Sequence, residues 1–457
     1  MLFRSAGLDT QAYTDKISQD FRDMADAMGV SYDDYIRTTE QRHKIACAEL
    51  WKRIEASGDI YLGHYEGWYA VRDEAFYDES ETALKDGVRI AVASGAPVEW
   101  VREPSYFFKL SAWQDRLLKF YEENPDFITP NSRRNEVMSF VRGGLLDLSV
   151  SRTTFNWGIP VPNAPGHVMY VWLDALTNYL TAVGYPDTKS DSFSAFWPAD
   201  LHMIGKDILR FHAVFWPAML MAAGLEPPRN VFAHGFLMVG GERMSKTRLN
   251  QIAPADLVET FGSDGFRYHF LVDQRFGPDG DFSFEQMVTR YNADLANNFG
   301  NLASRVLNMA VSYCDGAVPA TRADGPLVAA AARARDGLDA GMAALDFASG
   351  FGAVWVLIGA TNAYIEDRQP WALQKAGDTA GCAAVLGDCL EALRIVAVRA
   401  GPLLPRATAE LWSRLGLDGD PTGARLPADA GWGAVDTAGN RLVKGDPLFP
   451  RLEVAPG

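Results

Sequence analysis

The sequence predicts an α/β fold with a parallel sheet, interrupted by a small β-rich insertion and followed by an all-α helical bundle. Two apolar runs, 201–204 and 231–239, are typical of buried strands, and a helical pattern over 208–223 follows the first of them. From Asn292 onward, alanine-rich segments with helical spacing run nearly to the end of the chain. Strands that alternate with helices predict a parallel sheet, whereas uninterrupted helices predict a bundle.

Size and composition describe an ordinary soluble protein. The 457 residues have room for about three domains, and 22% of them are charged. We find no charge-free apolar run of 18 residues and no signal-peptide pattern, which predicts a cytoplasmic location and no membrane partner. The four cysteines form no CxxC pair and suggest neither a disulfide framework nor a zinc site. The net charge of −15 argues against general nucleic-acid binding but leaves room for a local site.

The first hundred residues begin on helices rather than on a strand. Helical spacing predicts helices over 14–28, ending at Gly29, and over 43–55. Short β segments between 59 and 101 predict the insertion, and a further helix is predicted over 106–121. Because an α/β domain that begins on a helix lacks its first strand, we expect this sequence to be N-terminally incomplete.

The second α/β part carries aromatic residues at helical spacing on two segments. One segment follows the predicted strand 167–172, and the other is the helix over 208–223, which Pro217 should kink. On each segment, residues recur at steps of three and four and so share one face. Such residues can line a binding cavity or can be satisfied core residues. They are Trp172, Ala175 and Tyr179 on the first segment, and Phe211, His212 and Trp216 on the second.

Two strand ends carry polar residues where ligands bind in open α/β sheets. Gly205, after the strand 201–204, allows a close backbone approach, and Asp207 could accept hydrogen bonds from ribose hydroxyls or simply cap its helix. The strand 231–239 ends at a glycine pair, Gly240–Gly241, which lets the backbone turn sharply. A cationic loop there can meet a polyphosphate, although an exposed polar loop has the same composition. The loop contains Arg243, Ser245, Lys246 and Arg248.

The bundle carries two further features outside its apolar stripes. Asn301 and Arg305 lie four residues apart on a polar face, which is also what a solvated face looks like. Trp371 follows the helix-stopping Pro370 and can be a core plug or an exposed stacking platform. The helices are predicted over 292–313, 327–345, 350–367, 378–400 and 405–415.

Taken in order, these segments resemble the methionyl-tRNA synthetases, a family of class I aminoacyl-tRNA synthetases. The likeness runs from about residue 7 to the closing Leu-Phe-Pro-Arg at 448–451. Arg-Met-Ser-Lys-Thr at 243–247 is similar to the family's KMSKS loop, with Arg for the first Lys and Thr for the last Ser. The other matching motifs are the amino-acid pocket segment at 170–175, the second half-Rossmann signature at 204–208 and 211–217, and the anticodon-reading positions at 301–305 and 369–371.

The resemblance implies a Rossmann-like catalytic domain, here N-terminally incomplete, with a small β-rich insertion, followed by an all-α anticodon-binding helical bundle. The expected divisions are 1–57 for the remainder of the first Rossmann half, 58–145 for the connective insertion with a zinc-less knuckle, 146–248 for the second Rossmann half with the KMSKS-like loop, 249–290 for a stem-contact linker region, and 291–457 for the anticodon-binding bundle.

The implied activity is that of a monomeric methionine–tRNA ligase. Such an enzyme activates methionine with ATP, which carries Mg²⁺, to methionyl-adenylate and transfers the amino acid to tRNA(Met). Lys246 would neutralise charge that develops on the phosphates. By residue, the resemblance implies Lys246, Arg243 and Ser245 as catalytic; Gly205, Asp207 and Lys246 as ATP-binding; Trp172, Ala175, Tyr179, Phe211, His212 and Trp216 as methionine-binding; and Asn301, Arg305 and Trp371 as anticodon-binding.

Two departures from the family pattern modify these expectations. The stretch that matches the zinc knuckle, 69–73, has no cysteine, so we expect no zinc. No His-x-Gly-His (the HIGH motif) occurs in the sequence, so we expect this chain to be inactive alone, because nothing holds the ATP phosphates opposite Lys246. The alternative is a non-catalytic tRNA-binding protein derived from a synthetase. The anticodon-position pattern and the short insertion disfavour another class I synthetase.

Overall fold

The computed structural model describes residues 9–70, 72, 75–85, 87–244, 252–426 and 428–453. The chain divides into two compact units. The central unit is Tyr32–His234, and the helical unit combines residues 9–31 with the described residues from Gly235 onward. The expected five-part division of the chain stays a prediction.

Helices and strands are numbered in chain order. The helices are α1 (Thr10–Ala27), α2 (Gln41–Ala56), α3 (Gln114–Glu123), α4 (Asn131–Arg142), α5 (Val171–Leu176), α6 (Asn178–Ala182), α7 (Asp191–Phe196), α8 (Trp216–Ala222), α9 (Pro254–Tyr268), α10 (Phe284–Arg290), α11 (Asn301–Tyr313), α12 (Val328–Ala343), α13 (Phe347–Arg368), α14 (Pro370–Lys375), α15 (Thr379–Ala400) and α16 (Pro405–Arg414). The strands are β1 (Ile60–Ala70), β2 (Ala75–Tyr77), β3 (Thr82–Lys85), β4 (Val88–Ala91), β5 (Glu99–Phe108), β6 (Ile128–Thr129), β7 (Leu148–Ser149), β8 (Ser151–Arg152), β9 (Val168–Met169), β10 (His202–Gly205), β11 (Val231–His234), β12 (Leu237–Val239), β13 (Glu242–Arg243) and β14 (Gly280–Phe282).

A three-stranded parallel sheet with the order β10-β11-β6 forms the centre of the central unit. Strand β10 runs in register with β11, from His202 opposite Val231 to Gly205 opposite His234. Ile204 and Val231 are almost fully buried, because helices such as α2, α3 and α8 contribute to the same hydrophobic core. The parallel direction brings the carboxyl ends of β10 and β11 to one edge, as the α/β pattern predicts.

The β-rich insertion is built on one long antiparallel pair, in which β1 and β5 stay paired from Ile60–Phe108 to Tyr69–Glu99. The prediction of a helix over 106–121 was wrong at its start. Residues 106–108 are the end of β5, because this aromatic run pairs with β1 across the sheet. Helix α3 begins only at Gln114. Trp68 and Trp100 meet edge to face at 5.3 Å in the outer part of this pair.

The segment predicted as one helix over 208–223 is irregular. A short 3₁₀ turn at Lys206–Ile208 is followed by a π-helical turn at Phe211–Phe215 and then by α8. Pro217 lies in the first turn of α8 and cannot donate a backbone hydrogen bond. The wider π turn accommodates this loss and lets the chain continue with a changed direction of its side chains.

The apolar run 231–239 forms two strands rather than the single predicted strand. Strand β11 ends at His234, and β12 begins at Leu237. A Cβ atom at Gly235 would overlap the backbone of Pro278 and Asp279, so glycine is required where the chain changes direction. Strand β12 then pairs with β13 and β14 in a separate small sheet of the helical unit.

The bundle follows the predicted helices closely. Helices α11, α12, α13, α15 and α16 share one hydrophobic core with residues of the π-helical turn at Tyr291–Gly300. Phe347–Lys375 is the one described stretch that is long and apolar enough by length and composition to cross a membrane. Its residues Phe351, Val354 and Leu357 are buried in the bundle core, which accounts for its apolar character.

Candidate functional site

Three local structures of the central unit bring the predicted pocket residues together. Helices α5 and α6 follow β9 and carry Trp172 and Tyr179, while the π turn carries Phe211 and His212. Trp216 begins α8 directly after the π turn. The helical spacing of these residues therefore places them on facing sides of one cluster.

The aromatic rings of this cluster are in direct contact. Trp172 stacks face to face on Phe211, with ring centroids 3.7 Å apart. The ring of His212 lies edge-on to Trp172 at 6.4 Å and to Tyr179 at 5.6 Å. Trp216 lies 6.5 Å from Tyr179 in a tilted arrangement. The remaining predicted pocket residue, Ala175, lies on α5 and contributes no ring to the cluster.

The hydrogen bonds of His212 define its tautomer. Its Nδ1 lies 3.0 Å from the carbonyl oxygen of Ile208, which can only accept, so Nδ1 carries the proton. Its Nε2 lies 2.8 Å from the hydroxyl oxygen of Tyr179 and accepts the hydroxyl proton. Burial lowers the pKa of His212 and raises the pKa of Tyr179 to about 12, so both groups are neutral near pH 7.

Gly205 and Asp207 lie at the carboxyl end of β10. A Cβ atom at Gly205 would lie 2.6 Å from the Asp207 carboxylate, so a larger residue there would displace the Asp207 side chain. The Asp207 side chain is exposed, and it has no hydrogen bond to any residue that the structure describes. The alternative that Asp207 caps its helix is therefore not observed, and its carboxylate is open to a ligand.

The glycine pair forms the turn of a hairpin between β12 and β13. Gly240 and Gly241 both have positive φ, 62° and 74°, as a tight two-residue hairpin turn requires. The Gly241 amide donates to the Asp281 carboxylate at 3.1 Å. Arg243 is exposed and lies 3.9 Å above the ring of Phe236. Ser245 and Lys246 lie outside the described residues.

The predicted anticodon residues lie close together on the bundle. Arg305 donates to Glu366 at 2.7 Å, and its guanidinium lies 5.9 Å from the ring centre of Trp371. Trp371 is 37% exposed, which excludes a core plug. Gln369 adopts a left-handed conformation (φ 46°) immediately before Pro370, and this strained corner directs α14 away from α13. Asn301 is exposed at the start of α11.

A buried polar link that the sequence reasoning missed holds the pocket helices. His43 on α2 is fully buried; its Nε2 lies 2.8 Å from the Asp174 carboxylate on α5, and its Nδ1 lies 2.9 Å from the Thr181 hydroxyl on α6. The thiol of Cys47 lies 3.3 Å from Nε2. These three groups are of the kinds that bind metals, but both nitrogens of His43 are already hydrogen-bonded within the protein. The signal in the sequence is a charged Asp174 inside an otherwise apolar motif.

His202, at the start of β10, is the second residue that sequence reasoning missed. Its ring stacks on Tyr179 with centroids 3.8 Å apart and planes inclined by 20°. It is 2% exposed, and neither ring nitrogen has a hydrogen-bond partner within the described part of the chain. In the sequence, the only indication of its importance is that a histidine stands near the start of a predicted buried strand.

The chain is similar in sequence and in structure to known proteins of one family. Residues 3–307 match the family model of the class I tRNA synthetases of the methionine type, described as "tRNA synthetases class I (M)". The methionine–tRNA ligase of Mycobacterium bovis is 48% identical over 99% of this chain and 86% of its own length, and that of Rhizobium meliloti is 49% identical over 99% and 88%. A structure of the Mycobacterium tuberculosis methionyl-tRNA synthetase in complex with methionyl-adenylate superposes with a TM-score of 0.88 at 47% identity, covering 98% of this chain and 88% of that one.

An α/β domain followed by a helical bundle, matched by this family model, defines a class I aminoacyl-tRNA synthetase. Within that class, the chain belongs to the methionyl-tRNA synthetase family, whose members are methionine–tRNA ligases.

Proposed function

We propose that this chain binds methionine, ATP and tRNA(Met) at the residues described above, as the sites of a methionine–tRNA ligase. In that reaction a methionine carboxylate oxygen attacks the α-phosphorus of ATP, and the bond to pyrophosphate breaks. The terminal ribose hydroxyl of the tRNA then attacks the carbonyl carbon of methionyl-adenylate, and AMP leaves. The observation that carries the proposal is the paired Tyr179–His212 group among stacked aromatic rings.

The methionine side chain would lie against the cluster of Trp172, Phe211 and Tyr179. A thioether gains from contact with aromatic rings, whereas a polar side chain would lose its water without receiving a strong partner. His212 offers such a side chain no donor, because Nδ1–H is held by Ile208 and Nε2 accepts from Tyr179. The cluster therefore favours an unbranched, polarizable side chain.

ATP would lie at the carboxyl end of β10. The exposed Asp207 carboxylate can accept hydrogen bonds from both ribose hydroxyls, and Gly205 allows the nucleotide to approach the backbone. The resemblance assigns the phosphates, with the Mg²⁺ that ATP carries, to Lys246 and Arg243 of the KMSKS-like loop. Since negative charge moves onto pyrophosphate in the transition state, cations there would accelerate the step. Ser245 would act with them.

The anticodon would lie on the bundle beside Trp371. A half-exposed tryptophan can stack on an unpaired base, and Arg305 and Asn301 can donate to the edges of neighbouring bases. Glu366 holds the Arg305 guanidinium at 2.7 Å before any RNA arrives, which reduces the ordering that binding would otherwise require. This local site suits a protein of net charge −15, because the rest of the surface repels other nucleic acids.

Methionine-dependent ATP–pyrophosphate exchange tests the activity. The printed sequence contains no His-x-Gly-His, so we expect exchange by the 457-residue chain to be low, because one side of the phosphate site lacks its usual histidines. Exchange at an ordinary enzyme rate would contradict that expectation and establish the complete ligase reaction. Low exchange together with specific binding of tRNA(Met) would favour the alternative of a tRNA-binding protein that does not catalyse. Binding of neither methionine nor tRNA(Met) would overturn both.

Two expected absences go with this proposal. We propose that the insertion needs no zinc, since Trp68 and Trp100 pack together where the family's knuckle lies. Elemental analysis of the purified protein checks it, and one zinc per chain would contradict it. We also propose a cytoplasmic monomer that needs no membrane, which sedimentation analysis and a fractionation of cells would check.

A further inference from the structure

His202 is an unusual residue to find at the base of an aromatic cluster. A neutral imidazole has one N–H donor and one acceptor, and here both are buried without a partner among the described residues. Leaving a buried donor or acceptor unpaired destabilises the folded state. Hydrogen bonds among the described residues therefore do not account for a ring at this position, which leaves its contacts with neighbouring rings.

The surroundings of His202 are aromatic rather than charged. Tyr179 covers one face of the ring at 3.8 Å, and Trp197 lies 6.2 Å away. The ring of His212 stands perpendicular to His202 at 6.3 Å. Burial lowers the pKa of His202 to about 3, so the ring is neutral and acts here as a small flat aromatic group.

Tyr179 is consequently held from two directions. His202 supports the face of its ring, and His212 accepts the proton of its hydroxyl at 2.8 Å. A tyrosine ring turns about two side-chain bonds, so loss of the support under its face would let the hydroxyl swing away from His212. The position of the hydroxyl thus depends on a residue that does not itself touch it.

We propose that His202 is a positioning residue of the methionine side-chain site, which stacks under Tyr179 and thereby aligns its hydroxyl with His212 Nε2. The inference rests on the proposed function for the occupant of the site, because methionine is the ligand that the aligned pair would contact. It assigns to His202 a part in binding and in selecting the amino acid, without contact with the reacting atoms.

Three variants separate positioning from general stability. His202→Ala removes the support, His202→Phe restores a flat ring without polar atoms, and Phe127→Leu disturbs a residue that is 1% exposed elsewhere in the same core. The first measurement needs no ligand: the ring ¹⁵N resonances of His212, which report whether Nε2 accepts a hydrogen bond. The second is the affinity for methionine, by calorimetry.

We expect His202→Ala to shift the Nε2 resonance towards that of a free nitrogen and to weaken methionine binding about 10-fold, equal to about 1.4 kcal/mol. His202→Phe should restore both to the wild-type values, and Phe127→Leu should lower the melting temperature while changing neither. An unchanged Nε2 resonance in His202→Ala overturns the proposal, and so does a His202→Phe variant that behaves like His202→Ala. If the wild type binds no methionine, the proposed function fails. The Nε2 resonance of His212 still shows, without any ligand, whether His202 positions the Tyr179 hydroxyl.

Discussion

The pocket around Tyr179 and the face around Trp371 use similar groups at different degrees of burial. In the pocket, Trp216 is fully buried, and the Tyr179–His212 pair is satisfied within the protein. On the bundle, Trp371 is 37% exposed, and Arg305 is held by one carboxylate with further donors to offer. The comparison teaches that a buried site recognises its ligand by shape and aromatic surface, whereas an exposed site keeps polar atoms for its partner.

The largest expected effect separates the two sites by stability. Trp216→Ala should lower the free energy of unfolding by about 3–5 kcal/mol, since it opens a cavity in a packed core. Trp371→Ala should lower it by less than about 1 kcal/mol, because the exposed ring fills no cavity. Urea unfolding, followed by probes in each unit, measures both. Equal losses in the two variants would show that the contrast in burial is not what distinguishes the sites.

Acid should weaken the buried site through His202. Burial lowers the pKa of His202 to about 3, while the unfolded residue titrates near 6.5, so between these values the unfolded state binds the extra proton. The titration of His202 therefore leaves the free energy of unfolding unchanged above about pH 6.5. Between about pH 6.5 and about pH 3 it lowers that free energy by about 1.4 kcal/mol per pH unit.

The difference between wild type and His202→Phe isolates this contribution, because His212 and the carboxylates are common to both proteins. From about pH 7 to about pH 5, the stability of the variant relative to wild type should rise by about 2 kcal/mol. Unfolding curves at the two pH values provide the measurement. Parallel pH profiles would mean that His202 is paired or hydrated in the folded protein.

At the exposed site, a substitution should change the affinity for tRNA(Met) rather than the free energy of unfolding. Trp371→Ala is expected to weaken binding of tRNA(Met) by about 1–3 kcal/mol, the contribution of one stacked base. Trp100→Ala is the matched control, since Trp100 is 55% exposed but lies on the β-rich insertion. Filter binding at a fixed salt concentration compares them. Equal affinities for the two variants would remove Trp371 from the RNA site.

The smallest effect concerns the corner that presents Trp371. Gln369 has a left-handed backbone, which costs a non-glycine residue about 1–2 kcal/mol, and glycine recovers only part of this because of its greater freedom when unfolded. Gln369→Gly should therefore raise the free energy of unfolding of the bundle by up to about 1 kcal/mol. A loss of stability would show that the glutamine side chain makes contacts that outweigh the strain.

The bundle could be predicted well because its signals are local. Apolar residues at helical spacing, with Pro370 at one helix end and Pro405 at the start of α16, define boundaries that the structure reproduces within a few residues. The pocket residues on α5, α6 and the π turn were also predicted together, since helical spacing places them on common faces. Whether they bind methionine stays a prediction.

The errors arose where contacts distant in the chain decide the local structure. Residues 106–108 form a strand because β1 lies beside them, and no local pattern reveals a partner about fifty residues away. The run 231–239 breaks at Gly235 because the backbone at 278–279 approaches it. His202 was missed for the same reason, since its significance lies in a ring contact with Tyr179 that no spacing encodes.

The chain from Tyr179 to His212 to Ile208 also limits the chemistry that the pocket can perform. A proton passed from the tyrosine hydroxyl to Nε2 could leave only through Nδ1, which points at a backbone carbonyl oxygen 3.0 Å away. A carbonyl cannot relay a proton onward, so the chain is a dead end for proton transfer. The pocket can therefore hold its ligand for the whole reaction without competing, as an acid or a base, with the phosphate chemistry.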